Sequence, residues 1–210
     1  TAETIAFTKE VAELGGIDAV LVVAPYYNKP NQDGLYAHFV AVAEASDLPV
    51  VIYNIPGRSV VNIEPETIIR LAKLPNIIGV KESSGNLDNI SKIITETSDD
   101  FLVYSGDDSL TLPILAVGGN GVISVASHVV GNEMQEMMQA FESGDVKKAA
   151  SIHRSLLPLM NGLFSVPNPA PTKYLLNQQG ISVGPVRLPL VDLNAEQGTK
   201  LQAILEGLSK

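Results

Sequence analysis

Short apolar runs rich in β-branched residues recur along the chain, and an amphipathic stretch follows each of them. We predict strands over residues 19–24, 49–53, 77–80, 101–104 and 121–125. The amphipathic stretches predict helices over 35–46, 64–73, 87–97, 109–117 and 132–142. Strands and helices that alternate at this spacing indicate βα units and a parallel sheet. The chain is therefore predicted to be an α/β protein.

Five parallel strands fit two architectures, an open doubly wound sheet or most of a (β/α)8 TIM barrel of about 250 residues. Polar residues favour the barrel, because they lie at or just after the ends of several different strands. Barrels gather their chemistry from many strand ends, whereas open sheets concentrate it at one switch point. The residues are Tyr26, Tyr27, Tyr53, Lys81, Asp107 and Asp108.

The predicted strands stop before the last third of the chain. Helices are predicted over residues 145–162, 168–178 and 194–208, and clusters of proline and glycine separate them. We therefore predict two domains, a barrel part over residues 1–144 and a C-terminal helical domain over residues 145–210. The expected role of the second domain is packing or contact between subunits.

Composition limits the possible partners of the protein. The 210 residues carry a net charge of -9, which disfavours nucleic acid and anionic membranes. An anionic substrate would need a local cation to hold it. The absence of cysteine fits a reducing cytoplasm. His38, His128 and His153 lack the spacing of metal ligands, so we expect no metal site.

Lys81 ends the apolar run of residues 76–80, which is typical of a strand buried on both faces. Burial without a partner favours the neutral amine of lysine. A neutral amine can attack a carbonyl group and form a Schiff base. The alternative is that the stem packs in the interior while the ammonium extends to the surface.

Tyr53 and Arg58 are the other candidates near the predicted barrel mouth. In a parallel barrel Tyr53 would lie one strand from Lys81, where a phenol can pass protons. A buried tyrosine that simply makes a structural hydrogen bond is the alternative. Arg58 follows a Pro-Gly turn and presents a rigid fork that suits a carboxylate, unless it is only a solvated loop residue. If Tyr26 and Tyr27 extend their strand, they point in opposite directions.

Several motifs together resemble the dihydrodipicolinate synthase family, which belongs to a wider group with N-acetylneuraminate lyase. The motifs are residues 25–27, 53–58, 79–85, 105–108 and 121–124, and the resemblance covers essentially all 210 residues in order. It implies that the five strands are strands 4 to 8 of a (β/α)8 barrel. It also implies that family members begin about 80 residues earlier, with three further βα units. We therefore expect the 210-residue chain alone to be poorly active.

The resemblance implies a reaction and the residues that perform it. Lys81 would form an imine with pyruvate and condense it with L-aspartate-4-semialdehyde to 4-hydroxy-tetrahydrodipicolinate, on the pathway to lysine and diaminopimelate. Tyr53 would relay protons, and Tyr27 would complete the relay of a neighbouring subunit. Arg58 would hold the semialdehyde carboxylate.

Further implications concern the pocket and the assembly. The backbone of Gly106 and Ile123 would line the pyruvate pocket, and no metal or organic cofactor would be needed beyond the imine itself. The assembly would be a homotetramer built from dimers. Lysine is a possible inhibitor at the dimer interface, near Tyr26 and Glu3.

Two other functions remain open from the sequence. The chain could be another pyruvate-dependent aldolase, such as a lyase of sialic acid or of keto-deoxy sugar acids, although Arg58 argues against it. It could also be a catalytically dead, ligand-binding barrel. The presence of both Lys81 and Tyr53 disfavours this second function.

Overall fold

The structure is a computed structural model, and it describes residues 1–208. Its sheet has five strands, all parallel to their neighbours. The strands are β1 Val20–Val23, β2 Val50–Asn54, β3 Ile77–Glu82, β4 Leu102–Ser105 and β5 Gly121–Val122. All five predicted strands are present, although β5 is shorter than predicted because only two of its residues pair with β4.

Ten α-helices connect and follow these strands within the described residues. They are α1 Ala2–Leu14, α2 Gln32–Ala43, α3 Pro56–Ser59, α4 Pro65–Leu71, α5 Leu87–Glu96, α6 Thr111–Ala116, α7 Ser127–Glu142, α8 Val146–Gly162, α9 Ala170–Gln178 and α10 Ala195–Leu208. Side-chain caps fix several starts, as where Asn86 accepts a hydrogen bond from the backbone N–H of Asn89 at 3.0 Å. The four-residue helix α3 was not predicted from the sequence.

The strand order is β1-β2-β3-β4-β5, so each strand lies beside its neighbour in sequence. A doubly wound sheet reverses its strand order at a switch point, and this sheet has no reversal. The prediction of a barrel architecture is therefore confirmed over the doubly wound alternative. The carboxyl ends of all five strands lie at one edge of the sheet, where a barrel carries its chemistry.

The two faces of the sheet differ in burial. Val50, Ile52, Val80 and Val103 lie on the side covered by the helices and are at most 1% exposed. The core on that side also includes buried residues of the helices, namely Leu35, Phe39, Ile68, Leu71, Ile90, Ile93 and Ile114. The other face carries Tyr53, Lys81 and Tyr104, which are partly buried. The candidate chemistry thus lies on the face opposite the helices.

Two compact units divide the chain between Ile123 and Ser124. The first contains the sheet with α1 to α6. In the second, α7 packs against α8 and α9, and α10 packs against α8 and α9. We predicted the domain boundary after residue 144 instead, because α7 follows the last strand as a barrel helix would. In the structure α7 makes its main contacts with the C-terminal helices α8 and α9. The assignment of α7 to the barrel part of the chain, and with it the boundary after residue 144, stays a prediction.

Candidate active site

Tyr53, Lys81 and Tyr104 form a row across three neighbouring strands. Strand register pairs Tyr53 with Lys81 and Lys81 with Tyr104. Because paired residues of parallel strands point to the same face, the three side chains lie side by side. The Lys81 ammonium lies 4.1 Å from the centre of the Tyr53 ring, within the range of a cation–π interaction. Tyr104 was not predicted as a neighbour of Lys81.

Directly behind this row, on the helix-covered face, lies a buried polar pair. Asn54 and Glu82 are 1% and 2% exposed, and they are paired in the strand register. The Asn54 amide donates to the two carboxylate oxygens of Glu82 at 3.0 and 3.3 Å. The backbone N–H of Ser84 donates to the same carboxylate at 2.6 Å. Burial raises the pKa of the Glu82 carboxyl, while the hydrogen bonds from Ser84 and Asn54 oppose that rise.

Asn54 extends this pair into the loop after α3. Its amide also contacts the side-chain oxygen of Asn62 at 2.9 Å, and its carbonyl oxygen accepts from the backbone N–H of Ile63 at 3.0 Å. Each of Asn54 and Glu82 directly follows a site residue in its strand. Their hydrogen bonds therefore hold the ends of β2 and β3 together where Tyr53 and Lys81 face each other.

Gly106 lies close to Lys81, and this proximity requires a glycine. A Cβ atom on Gly106 would lie 3.1 Å from Lys81 Cε and 1.9 Å from Ser83 Oγ. A Cβ atom cannot lie 1.9 Å from the Ser83 oxygen, so only glycine fits at this position. The backbone N–H of Gly106 donates to the carbonyl of Glu82 at 2.8 Å, which extends the sheet pairing beyond β4. Gly106 thus lies beside the side chain of Lys81, and the lining of a pyruvate pocket by its backbone stays a prediction.

Asp107 follows Gly106 and is partly buried. Burial raises the pKa of Asp107, the nearby Asp108 carboxylate raises it further, and the charge of Lys81 opposes both. The Ser105 hydroxyl fixes this turn, because it lies 2.7 Å from the carbonyl oxygen of Asp107 and 3.2 Å from its N–H. The turn thus brings a carboxylate into the electrostatic field of the candidate nucleophile.

Arg58 lies in the last turn of α3, is exposed, and forms no ion pair within residues 1–208. The Ser59 hydroxyl stabilises this turn by contacts of 2.9 Å with the carbonyl oxygens of Ile55 and Val61. Val60 follows in the left-handed region at φ 65°. A β-branched residue is strained there, and such strain is common at functional sites. Arg58 is thus held on a short, locally constrained turn.

The remaining predicted residues lie apart from the row or on its edge. Tyr26 and Tyr27 are 71% and 87% exposed, in a loop after β1. Tyr27 has φ 74°, so the alternation expected for adjacent residues of a strand does not hold for this pair, because β1 ends at Val23. Glu3 is exposed on α1. The backbone N–H of Ile123 donates to the backbone carbonyl of Ser105 at 2.9 Å.

Two absences concern only residues 1–208. Their histidine and acidic side chains form no group of three or more that could bind a metal ion. Their helices include none with the length and apolar character that crossing a membrane requires.

A lysine at the carboxyl end of a parallel strand, facing a tyrosine on the neighbouring strand, suits an enzyme that forms a Schiff base with a carbonyl substrate. Comparison with known proteins specifies this class further. The model of the dihydrodipicolinate synthetase family matches residues 1–208. The chain belongs to this family.

Individual relatives agree with this assignment. The chain is 99% identical over 210 residues to the 4-hydroxy-tetrahydrodipicolinate synthase of Listeria innocua, and covers 72% of that protein. It superimposes on the crystal structure of dihydrodipicolinate synthase from Bacillus anthracis with a TM-score of 0.94 and 50% identity, covering 96% of this chain and 69% of that one. The synthase from Cyanidioschyzon merolae, solved with lysine bound, gives a TM-score of 0.95 and 48% identity, covering 98% and 70%. These matches confirm the predicted barrel and family.

Proposed function

We propose that the protein condenses pyruvate with L-aspartate-4-semialdehyde to give 4-hydroxy-tetrahydrodipicolinate, on the route to lysine and diaminopimelate. The observation that carries this proposal is the position of the Lys81 amine, 4.1 Å from the centre of the Tyr53 ring at the carboxyl ends of neighbouring strands. Imine chemistry follows from these residue types. Family membership and the 99% identity to the Listeria innocua synthase support this pair of substrates.

The reaction needs no oxidant or reductant. The Lys81 ammonium first loses a proton through Tyr53, and the resulting amine attacks C2 of pyruvate. The carbonyl oxygen takes up two protons and leaves as water to give the imine. Loss of a proton from C3 gives an enamine, whose C3 forms a carbon–carbon bond with the aldehyde carbon, and the aldehyde oxygen takes up a proton. The amino group of the semialdehyde then attacks C2, closes the ring and displaces the Lys81 nitrogen.

Each predicted residue has a part in this scheme. Tyr53 carries protons to and from the atoms bound to Lys81, because its ring centre lies 4.1 Å from the Lys81 nitrogen and a phenol can pass protons. Arg58 binds the carboxylate of the semialdehyde, which suits a guanidinium that forms no ion pair within residues 1–208. The backbone of Gly106 and Ile123 lines the pyruvate pocket. The imine is itself the electron sink, so the scheme uses no metal or organic cofactor.

The assembly we propose is a homotetramer made of dimers, in which Tyr27 completes the proton relay of the neighbouring subunit. The exposure of two adjacent aromatic side chains, Tyr26 and Tyr27, supports an interface at that loop. Lysine is the proposed inhibitor, near Tyr26 and Glu3, since a similar protein was solved with lysine bound. The cytoplasm is the proposed compartment, which the absence of cysteine fits.

Turnover tests this proposal in a complete enzyme. Residues 1–210 of this chain replace the matching segment of the Listeria innocua synthase, and we call the product the host enzyme. We expect it to consume both substrates, and we expect Lys81→Met to abolish turnover. Lys92→Met is the matched control, because Lys92 is an exposed lysine paired with Glu66 and should leave the rate unchanged. A folded host enzyme without turnover, or an active Lys81→Met variant, would contradict the proposal.

A further inference from the structure

The hydroxyl of Ser83 is buried next to the candidate nucleophile and makes no hydrogen bond to any atom of residues 1–208. The backbone N–H of Ser83 donates to the carbonyl of Asn54 at 2.8 Å, which continues the pairing of β3 with β2. Ser83 is two residues beyond Lys81 in this extended segment. Because alternate residues of a strand share a face, the two side chains point to the same side of the sheet.

Distances around Gly106 bring the two groups close together. The position of a Cβ on Gly106 is 1.9 Å from Ser83 Oγ and 3.1 Å from Lys81 Cε, so these two atoms are at most about 5 Å apart. The Lys81 amine is one bond beyond Cε. A substrate oxygen on the carbon bonded to that amine is therefore within reach of the Ser83 hydroxyl.

An unsatisfied buried hydroxyl is unfavourable for folding, since buried polar groups are nearly always hydrogen-bonded. The neighbouring Ser84 differs, because its hydroxyl accepts from the backbone N–H of Asn86 at 3.2 Å and so has a structural partner. Ser83 Oγ has none among the described residues, although it lies beside the nucleophile. A polar substrate atom would supply the missing partner.

We propose that Ser83 is a further catalytic residue, whose hydroxyl donates a hydrogen bond to the substrate oxygen on the carbon that Lys81 attacks. This inference rests on the proposed function. When the amine forms its bond to C2, the electrons of the carbonyl double bond move onto that oxygen. Ser83 stabilises the developing negative charge and keeps its own proton. Protons that convert the oxygen to water come from the Lys81 nitrogen and through Tyr53.

Rapid-quench trapping measures this role in the host enzyme. Pyruvate is mixed with the enzyme, and borohydride reduces the imine at successive times. We expect Ser83→Ala to slow imine formation about 10- to 100-fold, the effect of removing one donor to a developing oxyanion. Ser83→Cys keeps a weak donor, so its rate of imine formation should lie between the rates of the unsubstituted host enzyme and of Ser83→Ala. Ser91→Ala is the matched control, because the Ser91 hydroxyl donates to the carbonyl of Leu87 within α5, and it should form the imine at the unchanged rate.

Thermal unfolding separates this catalytic role from a structural one. Because the Ser83 hydroxyl has no partner in residues 1–208, Ser83→Ala should leave the Tm unchanged or raise it. An unchanged rate of imine formation in Ser83→Ala would overturn the inference, as would a lower Tm without slower imine formation. Neither outcome contradicts the proposed function as long as the unsubstituted host enzyme forms the pyruvate imine that borohydride traps. A host enzyme that forms no imine would overturn the proposed function itself.

Discussion

Asn54→Ala is expected to destabilise the first compact unit strongly and to reduce activity. Asn54 is 1% exposed, and its amide joins Glu82 to the loop that carries Asn62 and Ile63. Alanine removes these hydrogen bonds without moving the backbone. The Ile63 N–H and the Glu82 carboxylate would both remain buried and would lose a partner.

The size of the effect follows from these two groups. Leaving one buried group without its partner costs about 1–3 kcal/mol, and more when the group is charged. Two such groups give a loss of about 3–5 kcal/mol, which is a large part of the 5–15 kcal/mol typical of a folded protein. Since Asn54 also holds the ends of β2 and β3 in register, the rate should fall with the stability even at temperatures where the variant is folded.

Urea unfolding of the host enzyme, followed by circular dichroism, measures the loss, and turnover is measured at a temperature where both forms are folded. Asn86→Ala is the matched control, because Asn86 is an exposed helix cap with one hydrogen bond to the backbone of Asn89. This control should lose only about 1 kcal/mol. An Asn54→Ala variant that is no less stable than Asn86→Ala would refute this account of the buried pair.

Four further substitutions test separate parts of the account. Tyr53→Phe keeps the ring beside Lys81 but removes the hydroxyl, so we expect kcat to fall by about 100-fold or more while Tm is unchanged; an unchanged kcat would contradict the relay. Arg58→Lys should lower kcat/KM for the semialdehyde about 10- to 100-fold and leave pyruvate imine formation intact; an equal loss for both substrates would count against carboxylate binding. Val60→Asn should stabilise the protein by about 1 kcal/mol, because asparagine tolerates φ 65° better than valine, and denaturant unfolding checks this. Glu82 binds its proton more tightly in the folded protein, so the free energy of unfolding should fall as pH rises from about 4.3 through the raised pKa; Glu82→Gln should remove that part of the slope.

The fold and the central pair of the site follow from simple periodicities in the sequence. Parallel strands end at the same edge of a sheet, and Tyr53 and Lys81 lie at the ends of two successive strands. We therefore predicted that the two residues lie together, and the strand register, which pairs them, confirms it. The sequential strand order also agrees with the prediction from polar residues at many strand ends.

The supporting residues were missed for reasons that the structure makes plain. Asn54 and Glu82 each follow a site residue, and the period of two places both on the opposite face, but sequence alone does not show that a polar pair replaces apolar packing there. Ser83 could have been found by the same period, because it is two residues beyond Lys81. Only the close approach of Gly106 to Ser83 and Lys81 in the structure shows that the Ser83 hydroxyl is buried beside the nucleophile.

Other differences arise from tertiary context. The loop after β1 turns at Tyr27 with φ 74°, a conformation that no local residue preference predicts for tyrosine. Helix α3 is only four residues long and contains a Pro-Gly pair, so no helical period could identify it. Both segments lie beyond strand ends, where the hydrophobic pattern gives no register.

Covalent trapping of pyruvate on the host enzyme tests the central claim most directly. Borohydride reduction in the presence of pyruvate is followed by intact mass measurement and peptide mapping. We predict a single reduced pyruvate adduct, on Lys81, and none in the Lys81→Met variant. A folded host enzyme without an adduct, or with the adduct on another lysine such as Lys92, would contradict the assignment of Lys81 as the nucleophile.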